Sequence, residues 1–296
     1  MPRSGRTRLS AAALGAGLLA CALPSPGLWP LAWVGLIPLI VAANAAASRR
    51  EAGTLGLVAG IAYHGVVLHW IYLTCRFARV PMPVSVLAWL ALSSLLALNL
   101  AAVSALTKWL SEYAPRALRP WLWSLCWTAV AVAAERFTPR LAVDLLAYTQ
   151  WPNLALLQSA SWGGPHIVGF VVCLVNAALA EVWEDAPEGF SGVGATLAAG
   201  LALCGGMWMQ GVWALIQRPA DLGPSARVEI LQPCVEQYHK WDEAFIDGIL
   251  AGYDELLARP HVKPPALVIW PETAIPRWIS GTVAVPEGAK WARELR

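Results

Sequence analysis

Charge is what this sequence has least of. Only 14% of its 296 residues are Asp, Glu, Lys or Arg, where a soluble domain carries about 25%. That deficit excludes a disordered chain, a disulfide scaffold and a water-soluble enzyme spread over the whole length. Charge imbalance is also small: a formal +2 gives no reason to expect a nucleic-acid partner. Six cysteines, at 21, 75, 126, 173, 204 and 234, include no CxxC pair. No disulfide framework is visible, and the five cysteines in apolar runs read as small buried hydrophobes.

What is present is apolar and unevenly distributed. Hydrophobic residues make up 57% of the chain and the mean hydropathy is +0.53. Residues 1–225 hold 22 charged side chains, whereas the 71 residues from 226 to 296 hold 18. The sequence therefore predicts a transmembrane helical domain over 1–220 and a more water-soluble domain over 226–296.

A helix crossing the hydrocarbon core needs about 20 mostly apolar residues. Leu9–Ser48 is free of charge and long enough for two crossings, broken by Pro24-Ser25-Pro26-Gly27. Ala52–Cys75, Val80–Thr107 and the shorter Trp121–Ala134 supply three more. Leu145–Ala180 is interrupted by Trp151-Pro152-Asn153 and Gly163-Gly164-Pro165. It reads as an interfacial or re-entrant stretch over 145–160 and a span near Pro165–Trp183. Gly189–Gln217 completes seven.

With the amino terminus inside, inner segments carry Arg3, Arg6, Arg8, Arg49, Arg50, Lys108, Arg116 and Arg119; outer loops carry Arg76, Arg79, Arg136 and Arg140. The excess of inner cations favours this orientation, and seven crossings then put the tail outside. The first apolar run reads as a retained helix rather than a cleaved signal. Trp29, Trp33, Trp70, Trp121, Trp123, Trp151 and Trp162 fall near span ends, as an aromatic belt would.

Polar residues within the spans suggest packing before chemistry. His64 and His69 are five residues apart, about 140° around a helix, so they do not share a face as metal ligands would. They read as interhelical hydrogen-bonding groups, as do Asn99, Gln158 and Asn176. Glu135-Arg136 reads as a solvated charge pair.

In the tail, Ala226–Gln232 alternates like a strand, and Glu243–Leu257 has its apolar residues at helical spacing. Ala266-Leu267-Val268-Ile269-Trp270 is a continuous apolar run, the pattern of a strand buried on both faces. Strand, helix, strand is the start of a parallel α/β sheet. Pro271 ends the second strand and leaves Glu272 at its carboxyl end, where open α/β sheets bind ligands. Glu272 fits either a general base, its pKa raised by Trp270 and Ile275, or a strand-end carboxylate capping the next turn.

Leu231-Gln232, His239-Lys240-Trp241-Asp242 and Val268-Ile269-Trp270-Pro271-Glu272-Thr273-Ala274-Ile275-Pro276 together resemble the bacterial apolipoprotein N-acyltransferases. Ala147-Tyr148-Thr149-Gln150, Gln158 and Gly169-Phe170 through Asn176 extend the resemblance upstream. In that family a nitrilase-like (carbon–nitrogen hydrolase) domain is carried on membrane helices. The resemblance implies a Glu–Lys–Cys triad in which Glu272 is the base and a cysteine thiolate takes an acyl chain from a phospholipid. The thioester is then attacked by the amino group of an apolipoprotein's diacylglyceryl-cysteine, while the lysine offsets charge on the oxyanion. It further implies an inner-membrane protein with its soluble domain outside, no cofactor and no metal.

Trp241, in the loop after the first strand, either guides an acyl chain or packs on the following helix. No cysteine follows Glu272, and the only lysine after it, Lys290, lies in Glu287–Leu295, which reads as a helix. Cys234 precedes Glu272 and does not read as the nucleophile. The chain looks like a truncated or split member. Alternatives are an inactive remnant and a non-enzymatic polytopic membrane protein.

Overall fold

The computed structural model describes residues 5–137, 145–185, 193–217, 225–236, 239–260, 264–272 and 274. They fall into two compact units, 1–218 and 219–296.

Unit 1 is helical. Helix α1 (Gly5–Cys21) leads through a turn containing the cis Ser25–Pro26 bond and a short 3-10 helix (Trp29–Trp33) to α2 (Ile37–Asn44). Helix α3 (Arg49–Val67) starts at Ser48, whose hydroxyl accepts from the Glu51 N–H, while the Glu51 carboxylate accepts from the Ala47 N–H at 2.7 Å. At Leu68 the helix breaks and bends by 44° into α4 (His69–Phe77). Helices α5 (Met82–Leu110) and α6 (Arg119–Phe137) follow. The interrupted stretch is a 3-10 turn (Leu146–Gln150) and two one-turn helices, α7 (Leu154–Leu157) and α8 (Ala160–Gly163), before α9 (Pro165–Asp185) and α10 (Val193–Ile216).

Among the described residues, three helices are long and apolar enough to cross a membrane: Met82–Leu110, Pro165–Glu184 and Gly194–Ile216. The bent pair α3–α4 makes a fourth if taken as one span. Unit 1 is thus a membrane domain.

Packing depends on small residues where helices approach closely. Helix α3 lies along α5. A Cβ on Gly60 would sit 2.7 Å from Ala97 Cα, and one on Gly56 would collide with the Leu100 carbonyl. Only glycine permits this distance.

Asn176, 0% exposed on α9, accepts from the Leu36 N–H at 3.0 Å and donates to the Ala32 carbonyl at 2.8 Å. It satisfies backbone groups that the break between Trp29–Trp33 and α2 leaves free, so its expected interhelical role holds. The two histidines lie on either side of the break at Leu68. His64 is buried, with Nδ1 2.9 Å from the Gly60 carbonyl of its own helix, and His69 is exposed beyond the break. Gln158 likewise bonds within its own turn, to the Leu154 carbonyl at 3.1 Å. Glu135, its side chain 40% exposed as expected, also pairs with His166 Nε2 at 3.1 Å.

Of the five cysteines expected to be buried, Cys126 and Cys173 are, while Cys21, Cys75 and Cys204 are half-buried on helix flanks. Two belt tryptophans instead have internal partners: Trp33 donates to Gln150 Oε1 (3.1 Å) and Trp123 to Asn44 Oδ1 (3.2 Å). Each indole N–H thus bonds a side-chain amide oxygen of the bundle.

Unit 2 contains β1 (Val228–Ile230), a 3-10 turn (Glu243–Phe245) continuing into α11 (Ile246–Leu257), and β2 (Leu267–Ile269). The strands pair in parallel, Val228 with Leu267, Glu229 with Val268 and Ile230 with Ile269. Leu231, Ile249 and Tyr253 form the core, with Val268 and Trp270 packed on them. The pattern expected for a strand covered on both faces is not met among the described residues. Val268 turns toward α11, but Leu267 and Ile269 are 53% and 42% exposed, because α11 covers one face only.

Candidate functional site

The carboxyl ends of β1 and β2 define the site in unit 2. Beyond β1 the chain turns sharply, with Cys234 in the left-handed region at φ 53°. Beyond β2, Pro271 removes a ladder donor and releases the chain. Between these ends lies a cavity of about 140 Å³, lined among others by Cys234, Val235, Lys240, Tyr253, Pro271 and Ala274. Lys240 reaches across to donate from Nζ to the main-chain carbonyl of Glu272 at 3.1 Å. Residues on both sides of Glu272, Pro271 and Ala274, line the cavity.

Glu272 itself is exposed. The apolar enclosure anticipated from Trp270 is directed elsewhere: its ring stacks on Tyr253, centroids 4.6 Å apart and 27° between planes. Ile275, Lys290 and the helix expected over Glu287–Leu295 lie outside the described residues. Burial of Tyr253 raises its hydroxyl pKa above the ordinary value.

Trp241 is 63% exposed. Beside it in sequence, Asp242 caps the next turn by accepting from the Ala244 N–H at 3.0 Å, and Phe245 stacks on His239 with centroids 3.9 Å apart. Cap and stack hold the segment that carries Trp241. Among the described residues no group of His, Cys, Asp and Glu is arranged to hold a metal.

Unit 1 contains a polar cluster that the sequence reading missed. Glu181, 1% exposed, accepts from Arg116 Nε at 2.8 Å and from Asn44 Nδ2 at 3.1 Å. Glu184 accepts from Asn44 Nδ2 at 3.3 Å, and Lys108 donates to the Asn44 carbonyl at 2.8 Å. The available signal was Glu181 itself, an ionisable residue inside a predicted span, which requires a named partner.

A family model described as the apolipoprotein N-acyltransferase N-terminal domain matches residues 15–178. The chain belongs to this family. Curated relatives extend the similarity beyond the matched region. An apolipoprotein N-acyltransferase of Geobacter metallireducens is 29% identical over 294 residues, 96% of this chain and 55% of the relative. Those of Gloeobacter violaceus and Pseudomonas putida are 28% and 31% identical over 90% of this chain, covering 50% and 52% of their own lengths. The chain spans about half the length of these curated relatives.

Proposed function

We propose that this chain is the membrane domain and the beginning of the nitrilase-like domain of a bacterial inner-membrane apolipoprotein N-acyltransferase, with Glu272 as the general base of its triad. The observation that carries this reading is the placement of Glu272 at the carboxyl end of β2, its backbone held by Lys240 at the rim of a cavity. In the complete reaction Glu272 takes the proton from a cysteine thiol. The thiolate displaces the lysophospholipid from the donor ester, and the diacylglyceryl-cysteine amine then displaces the thiolate, leaving an amide. Exposed Trp241 offers an apolar ring to an acyl chain near this rim.

We read unit 1 as crossing the bilayer seven times with its amino terminus inside. Supporting this are bonds that gather alternate connections at one end. Arg8 donates to the Ala45 carbonyl at 2.6 Å, Lys108 to Asn44 at 2.8 Å, and Thr196 to the Ala117 carbonyl at 3.0 Å; Arg116 pairs with Glu181 at 2.8 Å. Cations concentrate at this end, as an inner face requires. Helix α10 starts there and approaches α7 near Gly211 toward its other end. The chain would then leave unit 1 on the outer side, where bilayer-anchored donors and acceptors reach the site.

The test joins residues 1–272 to the remainder of the Geobacter metallireducens relative and supplies radiolabelled phospholipid and a diacylglyceryl peptide. Label is expected in the peptide amide and lost with Glu272→Gln. Equal transfer by the Glu272→Gln chimera would refute the assignment.

A further inference from the structure

Helix α3 breaks before α4 although neither proline nor glycine stands at the junction, Val67-Leu68-His69. Sharp kinks have a short list of causes: proline, glycine with serine, a π-bulge, or a group inserted into the i→i−4 ladder. The hydrogen bonds around Leu68 identify an inserted group. Leu68 N–H donates to the His64 carbonyl at 2.8 Å, as in a regular helix, but Ile71 N–H turns back to the Leu68 carbonyl at 2.9 Å. Next along the ladder, the Gly65 carbonyl accepts from Trp89 Nε1 of α5 at 3.0 Å. In an unbroken helix that carbonyl accepts from the His69 N–H. A Cβ on Gly65 would meet Trp89 Cζ2 at 4.0 Å, so the indole lies over this turn. Tyr72 of α4 stands beside the same ring, centroids 6.4 Å apart.

Two donors can therefore serve one acceptor. A carbonyl without a donor in hydrocarbon is costly, so Gly65 needs one of them, and exchanging one N–H for the other keeps the number of hydrogen bonds constant. What changes is length. Straight, Arg49–Phe77 would extend about 43 Å at 1.5 Å per residue, against a hydrocarbon core of about 30 Å. Turning α4 by 44° shortens the reach along the α3 axis by about 4 Å. Bilayers differ in thickness on this scale. No residue of α4 is buried, and Trp70 and Leu73 are 40% and 52% exposed, so close packing does not fix the segment at this angle.

We propose that Leu68 is a hinge latched by Trp89, which makes α3–α4 a span of adjustable length. With the latch closed, the indole N–H holds the Gly65 carbonyl and α4 is bent. With it open, the His69 N–H takes that carbonyl and α3 continues into α4. A thin bilayer favours the bent form and a thick one the straight form. The hinge rests on unit 1 being a membrane domain and is independent of the role proposed for Glu272.

The experiment follows hydrogen exchange at the His69 amide of the full chain in nanodiscs of dimyristoyl or dieicosenoyl phosphatidylcholine, the second bilayer being the thicker. Rates are read relative to Thr74, whose amide stays within α4 in both forms, so that simple shielding by lipid cancels. Trp89→Phe removes the donor and keeps an aromatic ring; relative exchange at His69 should slow about threefold or more. Tyr72→Leu, which leaves the indole bond in place, should exchange like the unaltered chain. In the unaltered chain His69 should exchange more slowly in the thicker bilayer, and Trp89→Phe should abolish that difference. Exchange at His69 that is unchanged or faster in Trp89→Phe overturns the latch. Should that variant not fold, the unaltered chain in the two bilayers decides: slower relative exchange in the thicker one supports the hinge, and equal rates refute it.

Discussion

Lys240 Nζ donates to the main-chain carbonyl of Glu272 across 3.1 Å, joining the loop after β1 to the turn after β2. The two residues are 32 positions apart, and the parallel pairing of β1 with β2 brings their carboxyl ends together. A carboxylate on a strand end of this kind can serve as a base, but a base alone transfers no acyl group.

The polypeptide of residues 1–296 is therefore expected to give no acyl transfer by itself, because no thiol follows Glu272 in its sequence. The measurement is incorporation of labelled acyl chain into a diacylglyceryl peptide by the purified chain. Incorporation that disappears with Glu272→Gln would contradict the expectation, and loss with Cys234→Ser instead would assign the nucleophile to Cys234.

The α3–α5 contact predicts a steric effect. Gly56→Val would force its side chain into the Leu100 carbonyl and Ser104 Oγ. Overpacking in a tight interface costs about 1–3 kcal/mol. The Tm of the detergent-solubilised chain should fall, whereas Gly17→Ala, with open space around its Cβ, should leave it unchanged.

Asn176 predicts a hydrogen-bond effect at the junction between Trp29–Trp33 and α2. Asn176→Leu would strand the buried Leu36 N–H and the Ala32 carbonyl. Leaving such groups unpaired costs about 1–3 kcal/mol each. Faster exchange of the Leu36 amide and a lowered Tm should accompany the substitution.

Tyr253 predicts a pH dependence confined to unit 2. Burial raises its pKa above the ordinary tyrosine value, so the folded state favours the neutral phenol. The stabilisation is complete below the unfolded pKa and is lost as pH rises through the folded one. Unfolding of unit 2, followed by amide exchange in β1 and α11, should become easier above about pH 10. Tyr253→Phe should remove this alkaline dependence.

The sequence and the structure agree where a local signal was strong. Prolines and glycines at 24–27 and 163–165 mark the observed breaks, and Val228–Ile230, Glu243–Leu257 and Leu267–Ile269 fall inside the expected strand, helix and strand. Asn176 was legible because an amide inside an apolar run needs a partner. Pairwise geometry was not legible. Nothing in the sequence places Asn44 between Glu181 and Trp123, which lie 137 and 79 positions away. Those distances arise from helix packing. The same holds for Trp33, whose partner Gln150 is 117 residues distant. The bend at Leu68 carries no proline or glycine at that position, and its separation of His64 from His69 could not be inferred from spacing. Pro271 was enough to set Glu272 just past the end of β2, but the bond from Lys240 depended on how the two strand ends converge.

The placement of the tail outside the membrane is the claim on which the enzymatic reading depends. A dual reporter, alkaline phosphatase joined to green fluorescent protein and fused to Arg296, tests it most directly in living bacteria. High phosphatase activity without fluorescence is the predicted result, since the phosphatase matures only outside the cytoplasm. A fluorescent, phosphatase-silent fusion would put Glu272 on the cytoplasmic side and contradict the account.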